Sequence, residues 1–319
     1  AIFPAEVLDF IRATQRKDYD RVVAILKDKT DDQILSDLVK WLDTYGSLAT
    51  IRHGFKCYGR TFRVAFFRPA HGLNPDLESL YKANRVSLTR QLAYSARNAN
   101  TLDLTISLNG IPVATLELKN PMTGQTVQHA IKQYQHDRDP REPIFEFKRR
   151  TLVHFAADPD EVYMTTKLAG KATYFLPFNR GNGTAAGNPP GEPGKYRTAY
   201  LWEEALQRDS LLDIIARFLH LQVEEKRTAS GQKLKKESMI FPRYHQLRAV
   251  RKLEAMSREE GTGHNYLIEH SAGSGKSNTI AWAAHRLSSL HTANDERVFD
   301  TVVVVTDRRV LDQQLQETI

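Results

Sequence analysis

The first 45 residues carry hydrophobic side chains three or four positions apart in three successive runs, which is the spacing of helices with one buried face. After residue 62 the apolar positions form shorter runs rich in β-branched residues, a pattern typical of strands. Six such runs predict strands at residues 63–67, 88–94, 102–108, 111–118, 152–156 and 162–166. Two helices are predicted among them, at residues 77–84 and 125–137. This order predicts an α/β or α+β domain with a mixed sheet.

The pattern changes again beyond residue 180. Residues 181–194 contain five glycines and three prolines, which predicts a loop, either a plain surface connection or a mobile binding loop. Helical spacing returns over residues 201–223. The polar segment 223–239 is rich in lysine, and we interpret it as a basic linker, either a solvated connection or a DNA-facing segment.

A second unit is predicted from residue 240 onward. Its elements are helices at residues 243–256 and 278–287 and strands at residues 266–269 and 301–306. The second of these strands is a run of valines between threonines, which is typical of a strand buried in a parallel sheet. We therefore expect two domains, at residues 1–222 and 240–319, joined by the linker.

Composition narrows the class of protein. The chain has 319 residues, of which 41% are hydrophobic and 26% are charged, as in ordinary globular proteins. Lysine and arginine number 45 against 38 acidic residues, and the net charge of +7 is compatible with a polyanionic partner. Cys57 is the single cysteine, which excludes a disulfide framework or a cysteine-rich zinc site within one chain. The sequence has neither a membrane-spanning run nor a signal peptide at its start, so we expect a soluble, cytoplasmic protein.

Residues 270–277 read His-Ser-Ala-Gly-Ser-Gly-Lys-Ser and lie between a predicted strand and a predicted helix, the context of a phosphate-binding loop. Glycines let backbone N–H groups converge on phosphate oxygens, and the following helix adds the positive end of its dipole. Lys276 is expected to neutralise the β- and γ-phosphates of ATP, and Ser277 to ligate its Mg²⁺. The predicted ATP-binding residues are Gly273, Ser274, Gly275, Lys276 and Ser277. The alternative is a chance glycine-rich turn at the start of a helix.

Two neighbouring segments resemble motifs of superfamily 2 helicases. Residues 241–246 resemble the adenine-reading element, in which the amide of Gln246 is expected to pair with the base of ATP. Residues 304–314 resemble the next helicase motif, where Arg308 and Arg309 are candidate contacts to nucleic-acid phosphates. Taken alone, Gln246 is also compatible with a polar helix residue, and the two arginines with a surface pair.

A second constellation joins carboxylates to a lysine. Asp103 lies in one predicted strand, and after a gap of 13 residues Glu117-Leu118-Lys119 ends the next, which is the signature of PD-(D/E)xK nucleases. Two carboxylates can hold Mg²⁺ against a scissile phosphate, and the backbone carbonyl of Leu118 can add a ligand. Lys119 is expected to orient the attacking water or to stabilise developing charge. Because both carboxylates interrupt apolar strands, where an unpaired charge is costly, the sequence favours a functional site over chance.

This assignment requires both carboxylates on one face of the sheet. A two-residue turn at Asn109 and Gly110 with regular pairing would place Asp103 opposite Leu116 and turn Glu117 to the other face. Pro112 lacks a backbone N–H, which makes irregular pairing favourable there. We therefore predict a bulge or a three-residue loop near residues 109–112.

The predicted helix 125–137 offers Gln133 and Tyr134 as further candidates. Some nucleases of this class carry Gln-x-x-x-Tyr on that helix, but here the residue four positions before Tyr134 is Ala130. A solvated helix face is therefore the favoured interpretation of both side chains.

The order of nuclease residues, glycine-rich loop, linker and phosphate loop resembles the R (motor and endonuclease) subunits of type I restriction–modification enzymes. The resemblance is carried by Asn-Gly-Ile-Pro at 109–112, Glu-Leu-Lys-Asn-Pro at 117–121, the loop 270–277 with its leading histidine, and shorter strings at 74–77, 90–91, 102–104 and 305–308. It implies an α/β fold: a PD-(D/E)xK nuclease-like mixed sheet with flanking helices, followed by the incomplete start of a recA-like superfamily 2 helicase lobe.

The resemblance also implies a function. The implied activity is Mg²⁺-dependent cleavage of double-stranded DNA, coupled to ATP-driven translocation along that DNA. The implied partners are methyltransferase and specificity subunits. The sequence stops 13 residues after Thr306, without an Asp-Glu-x-x box or a second lobe. We therefore expect an N-terminal piece that does not itself hydrolyse ATP.

Three other functions remain open at this point. The chain is also compatible with a helicase–nuclease of DNA repair or phage defence. A non-catalytic assembly module would use Asp103 and Glu117 for structure alone. A small-molecule kinase would use the phosphate loop, but it would not need Asp103, Glu117 and Lys119.

Overall fold

The computed structural model describes residues 2–69, 74–183, 185–227 and 233–306. Contacts divide the chain into two compact units. The first comprises Ala1–Phe67 and Ser79–Phe241, and the second comprises Arg68–Glu78 and Pro242–Ile319. The predicted domain bounds, 1–222 and 240–319, remain predictions.

The first unit begins with helices, as predicted. They are α1 Pro4–Thr14, α2 Arg16–Leu26, α3 Thr30–Tyr45 and the unpredicted short helix α4 Ser47–His53. The buried side chains recur at the predicted spacing, for example Ile34, Leu38 and Leu42 along one face of α3.

The predicted strand at residues 63–67 is wrong. A short hairpin lies just before it, with β1 at Phe55–Cys57 and β2 at Arg60–Phe62. The backbone beyond it bonds to asparagine side chains instead of a neighbouring strand. Asn109 Nδ2 donates to the carbonyl of Val64, and Asn84 Oδ1 accepts from the N–H of Phe66. These amides satisfy the buried backbone groups that a strand would otherwise pair.

A six-stranded mixed sheet forms the centre of the first unit, in the order β3-β4-β5-β6-β7-β8. Its strands are β3 Val86–Ala93, β4 Thr101–Leu108, β5 Ile111–Leu118, β6 Val153–Ala157, β7 Val162–Thr165 and β8 Leu176–Pro177. Neighbouring strands are antiparallel except β5 and β6, which are parallel. The predicted mixed sheet is confirmed.

Two predicted helices accompany these strands, α5 at Pro75–Lys82 and α6 at Val127–His136. Helix α6 connects the parallel strands β5 and β6, which is the usual way of joining parallel neighbours. Its buried face consists of Val127, Ala130, Ile131 and Tyr134. This packing fixes α6 beside the end of β5, where the candidate nuclease residues lie.

Residues 181–194 form the predicted loop, of which residue 184 lies outside the description. The following helical region is α7 Arg208–Asp213, flanked by π-helical turns at Leu201–Ala205 and Ile214–Phe218. The described parts of the basic segment 223–239, which we interpreted as a linker, belong to two strands. Strands β9 His220–Arg227 and β10 Lys233–Ile240 pair as an antiparallel hairpin, with Lys236 opposite Glu224. Opposite charges at facing positions favour such pairing. The lysine-rich composition alone did not predict these strands.

The second unit contains α8 Tyr244–Glu260 and α9 Lys276–Ser288. Both helices were predicted, but the predicted strands at 266–269 and 301–306 are wrong. Val303 and Val305 are 76% and 85% exposed, so this apolar run is not buried. A parallel strand needs neighbours that bond its backbone and cover both faces, and no described residue pairs with residues 301–306.

The chain has no described helix that is both long and apolar enough to cross a membrane.

Candidate functional site

The hairpin between β4 and β5 contains the predicted bulge. Leu108 pairs with Ile111 and Ser107 with Pro112, but the next pair is Ile106 with Ala114, so Val113 is an extra residue in β5. The shifted register continues to the pair Leu104 and Leu116. One step further it places Asp103 opposite Glu117, on the same face of the sheet.

The turn itself spans two residues. Asn109 and Gly110 have φ angles of +48° and +85°, the left-handed conformation of a tight hairpin turn. A Cβ on Gly110 would lie 2.5 Å from the carbonyl oxygen of Phe3, so only glycine fits this contact. Phe3 in turn donates its N–H to the Gly110 carbonyl at 2.7 Å. The turn and the bulge after it are therefore held in place by the N-terminal helix region.

Asp103 is held by two donors. The N–H of Leu118 donates to Oδ2 at 2.8 Å, and Gln91 Nε2 donates to Oδ1 at 3.2 Å. The Gln91 amide is itself fixed, because its Oε1 accepts from the Thr101 hydroxyl at 2.7 Å. Gln91 has a φ of +49°, a left-handed conformation that is uncommon for a residue with a side chain. Backbone strain at a residue that bonds a candidate metal ligand, here Asp103, is typical of functional sites.

Glu117 is completely buried and pairs with Arg138. Arg138 Nε and Nη2 lie 2.8 Å and 2.6 Å from the same oxygen, Oε1. The guanidinium also donates to the carbonyl of Thr101 at 2.9 Å and lies over the ring of Tyr94. Sequence reasoning did not find Arg138, because it lies in a charged loop 21 residues after Glu117. The signal that could have found it is the need of a buried carboxylate for a cationic partner.

The second oxygen of Glu117 has no such partner. Oε2 is buried and receives no hydrogen bond from any described residue. Burial raises the pKa of Glu117 to about 7; Arg138 opposes that rise, and the nearby Asp103 carboxylate adds to it. Two adjacent carboxylates with a free buried oxygen fit a proton or a cation between them. The donor set of Asp103, Glu117 and the Leu118 carbonyl is composed of oxygens, which Mg²⁺ prefers.

Two carboxylates and one backbone carbonyl are few protein ligands for a metal site. Across the described ranges, no group of three or more His, Cys, Asp and Glu side chains is placed to hold an ion. Two carboxylates and a carbonyl suit Mg²⁺, since that ion commonly keeps several waters and uses one or two protein carboxylates.

Lys119 lies on the α6 side of the sheet. Its Nζ donates to Gln133 Oε1 at 2.5 Å. Four residues earlier, on the same face of the sheet, Thr115 bonds to the hydroxyl of Tyr134 at 2.8 Å. Tyr134 is fully buried, so its interpretation as part of a solvated helix face is wrong. Gln133 is half-buried and contacts the candidate catalytic lysine. Both residues of α6 thus contact β5 or the lysine that follows it.

The phosphate loop of the second unit lies at the start of α9. Gly273 and Gly275 have φ angles of +72° and +83°, as a tight phosphate-binding turn requires. Lys276 is exposed, and its Nζ donates to the carbonyl oxygens of His270 and Ser271 at 2.9 Å and 3.4 Å. Ser277 is half-buried beside it in the first turn of α9. Ser274 is buried, and its hydroxyl finds no partner among the described residues.

Gln246 meets this loop directly. Its Nε2 donates to the Gly275 carbonyl at 2.9 Å, and its Oε1 accepts from the N–H of Arg243 at 2.9 Å. Both ends of the amide are thus engaged by backbone groups, and the side chain is buried. The structure brings Gln246 together with the loop, where it links α8 to α9. Arg308 and Arg309, the predicted phosphate contacts, lie outside the described residues.

The two units match two different protein families. Residues 47–173 match the family described as type I restriction enzyme R protein N terminus, and residues 245–319 match the SWI2/SNF2 ATPase family. The chain is 26% identical over 245 residues to the type I restriction enzyme HindI endonuclease subunit of Haemophilus influenzae, covering 74% of this chain and 21% of that protein. It is 24% identical over 260 residues to a Methanocaldococcus jannaschii protein named for the type I restriction enzyme MjaVIIIP endonuclease subunit, covering 76% of this chain and 22% of that protein.

The chain thus spans about a fifth of the length of these relatives. The matched ranges include Asp103, Glu117 and Lys119 in the first family and the phosphate loop in the second. Together these matches show that the chain is similar to the R (endonuclease) subunits of type I restriction enzymes, the resemblance that its motifs predicted.

Proposed function

We propose that the first unit is the DNA endonuclease domain of a type I restriction subunit, with a Mg²⁺-dependent site of the PD-(D/E)xK kind. The observation that carries the proposal is the register of the hairpin. The bulge at Val113 brings Asp103 opposite Glu117 and leaves one buried carboxylate oxygen without a donor. A buried carboxylate oxygen without a donor is costly unless it binds a cation or shares a proton with a neighbouring carboxylate, and we assign the cation.

Each residue of the proposed site has a separate task. Asp103, Glu117 and the Leu118 carbonyl would hold the metal, and Lys119 would orient the attacking water or stabilise charge on the scissile phosphate. The bound ion would neutralise phosphate charge and lower the pKa of a coordinated water.

Neighbouring residues position these groups. Gln91 and the N–H of Leu118 orient the Asp103 carboxylate. Arg138 fixes one oxygen of Glu117 and leaves the other buried without a donor among the described residues. Gln133 holds the Lys119 ammonium beside α6. We assign Gln91, Arg138 and Gln133 as positioning residues, which act through the ligands and the lysine.

Cleavage of plasmid DNA by the chain in Mg²⁺ or Mn²⁺ tests this function. Lys119→Ala should lower the cleavage rate by about 10²–10³-fold, the usual effect of removing one group that stabilises a transition state. Asp103→Asn should abolish cleavage while keeping the size of the side chain. Lys17→Ala, on an exposed position of α2, serves as the control and should cut as fast as the parent.

Loss of cleavage is interpreted only beside thermal unfolding of each variant. Parent cleavage that survives both Lys119→Ala and Asp103→Asn would contradict the assignment and favour the alternative of structural carboxylates. A parent that does not cut would shift the test to metal binding, since cleavage in a restriction complex can depend on its motor and its other subunits.

The second unit supports a further proposal. We propose that residues 273–277 bind the phosphates of ATP with Mg²⁺, with Lys276 and Ser277 in the roles predicted from the motif. Supporting it are the left-handed glycines, the following helix and the buried Ser274 hydroxyl without a partner. Titration with an ATP analogue should give binding that Lys276→Ala weakens by at least about tenfold, because it removes a charge from the phosphates.

Double-stranded DNA is the proposed substrate, and methyltransferase and specificity subunits are the proposed partners. Both proposals rest on the similarity to type I restriction endonuclease subunits. In that setting the ATP site would serve a translocase that feeds DNA to the nuclease.

A further inference from the structure

An open depression of about 410 Å³ lies along helix α6, next to the proposed nuclease site. We call it the α6 groove. Its lining includes Lys119, Gln125, His129, Lys132, Gln133 and His136. The four of these that lie on the helix, His129, Lys132, Gln133 and His136, recur at helical spacing, so they form one face. The opposite face of α6 is the buried one that packs on the sheet.

The groove is rich in hydrogen-bond donors. Lys132 is exposed, and no ion pair joins it to another described side chain. His129 Nδ1 accepts from the N–H of Thr126 at 3.1 Å, so its other ring nitrogen carries the proton and donates. His136 is likewise exposed at the last turn of the helix. Asp137 is the one acidic residue of the lining. A surface of cations, imidazoles and amides suits an anion with many acceptor oxygens.

The groove and the nuclease site share residues. Lys119 lines the groove directly after the end of β5, two positions beyond Glu117, and Gln133 joins its ammonium to α6. The Cβ atoms of residues three and four apart on a helix are about 5–6 Å from each other, so the donor side chains follow one another closely along α6. Phosphates along a DNA strand are spaced similarly closely. A strand with its scissile phosphate at Lys119 would therefore continue along α6.

We propose that the α6 groove binds the phosphate backbone of the DNA strand that flanks the scissile phosphate, through Lys132, His129 and His136. The inference rests on the proposed nuclease function and extends it from the cleaved bond to the path of the substrate. Because every contact goes to phosphate, the groove binds DNA without regard to sequence. It thereby supplies affinity and register at a nuclease whose sequence recognition is proposed to lie in another subunit.

Binding of a short fluorescent DNA duplex to the full 319-residue chain tests this proposal. The titration is made in EDTA, so that no strand is cut, and at several salt concentrations. Lys132→Glu should weaken binding by about tenfold or more and lower the slope of log affinity against log salt by about 1. His136→Ala should weaken it by about twofold to threefold, because a neutral imidazole supplies a hydrogen bond but no full charge. Lys17→Glu makes the same charge change on α2 and should leave the affinity nearly unchanged.

Two results would overturn the proposal: no binding of the duplex by the parent, or equal affinities and salt slopes for Lys132→Glu and Lys17→Glu. Thermal unfolding of each variant separates lost contacts from lost structure. Failure of the groove is distinguishable from failure of the nuclease. Duplex binding that depends on Lys132, together with no metal-dependent cleavage, would remove the nuclease proposal alone. Cleavage lost in Lys119→Ala, with binding insensitive to Lys132→Glu, would remove the groove alone.

Discussion

Of the two candidate sites of this chain, the one with the more specific sequence motif has fewer strands in its own unit. The phosphate loop has the more specific motif, yet the described part of the second unit after residue 241 contains the helices α8 and α9 and no strand. The carboxylate–lysine pattern is weak as a motif, yet β5 has a bonded neighbour on each side and α6 beside its end. A motif thus indicates chemistry, whereas the neighbours of a strand determine whether the groups converge.

The sites also differ in how their charges are held. Glu117 is buried against Arg138, so each charge depends on the other. Lys276 is exposed and donates to carbonyl oxygens of its own loop. Removing a charge should therefore affect stability strongly in the first unit and weakly in the second.

The largest effect is expected at Glu117. Glu117→Ala should lower the free energy of unfolding of the first unit by about 3–5 kcal/mol, because it leaves the Arg138 guanidinium buried without its carboxylate. Chemical denaturation followed by circular dichroism measures this loss. Glu117→Ala is for the same reason a poor variant for testing catalysis, and Lys119→Ala is preferable.

A double variant isolates the pair. Glu117→Ala with Arg138→Met should recover at least about 2 kcal/mol relative to the sum of the single variants, since neither charge is then left unpaired. Strict additivity would show that the pair does not couple and would contradict this account of the site.

Protonation of a buried histidine is the next largest contribution expected. It destabilises the first unit in acid, whereas the raised pKa of Glu117 acts in the opposite direction between about pH 7 and 4.5, where the folded chain takes up the proton more readily. His154 is buried beside Thr115, and burial lowers its pKa from 6.5 to about 3. Between these pH values the unfolded chain binds a proton that the folded chain excludes, so stability is present above pH 6.5 and is lost as the pH falls toward 3. The slope attributable to this residue is at most about 1.4 kcal/mol per pH unit.

The variant His154→Asn keeps a polar atom for Thr115 but does not titrate in this range. Relative to the parent, its free energy of unfolding should increase as the pH is lowered from 7 to 4, because the contribution of Glu117 is common to both chains. Equal slopes would mean that His154 is not the group that resists protonation.

A smaller effect is expected at the phosphate loop. Gly275→Ala should destabilise the turn by about 2 kcal/mol, and Gly273→Ala by about 1 kcal/mol, as both have left-handed φ angles. The difference arises because a Cβ on Gly275 would lie 2.6 Å from Gln246 Nε2, whereas a Cβ on Gly273 meets nothing within 4 Å. Hydrogen exchange of the α9 amides measures both. Equal protection in the two variants would exclude Gln246 as a structural link to the loop.

The smallest effect on stability is expected at Lys276. Lys276→Ala should change the free energy of unfolding by no more than about 0.5 kcal/mol, because the side chain is exposed. Thermal unfolding without nucleotide measures it. A loss as large as that at Glu117 would remove the contrast between the two sites.

Much of the first unit could be predicted from local patterns. The helices α1–α3, the strands β3–β7 and helix α6 follow the spacing of apolar residues. A bulge or a three-residue loop near residues 109–112 was predicted because Pro112 lacks an N–H and because two carboxylates had to share a face, and the structure has a bulge at Val113. The bulge could be predicted because the residues that determine it all lie in one hairpin.

The remaining features depend on distant residues. Arg138 joins Glu117 only after the chain has passed through α6, and the side chains of Asn84 and Asn109 replace the strand predicted at 63–67. In the second unit, apolar sequence predicted strands at 266–269 and 301–306, but the described structure contains no partner for them. Burial and pairing are properties of neighbours, which a single segment does not specify.

The central claim is that Asp103 and Glu117 share a metal ion. Calorimetric titration of the chain with Mn²⁺, without DNA or nucleotide, tests it most directly. The account predicts a binding site that Asp103→Asn removes and that Lys119→Ala retains, because the lysine is not a ligand. Equal Mn²⁺ binding by the parent and Asp103→Asn, or no binding by the parent at millimolar Mn²⁺, would contradict it.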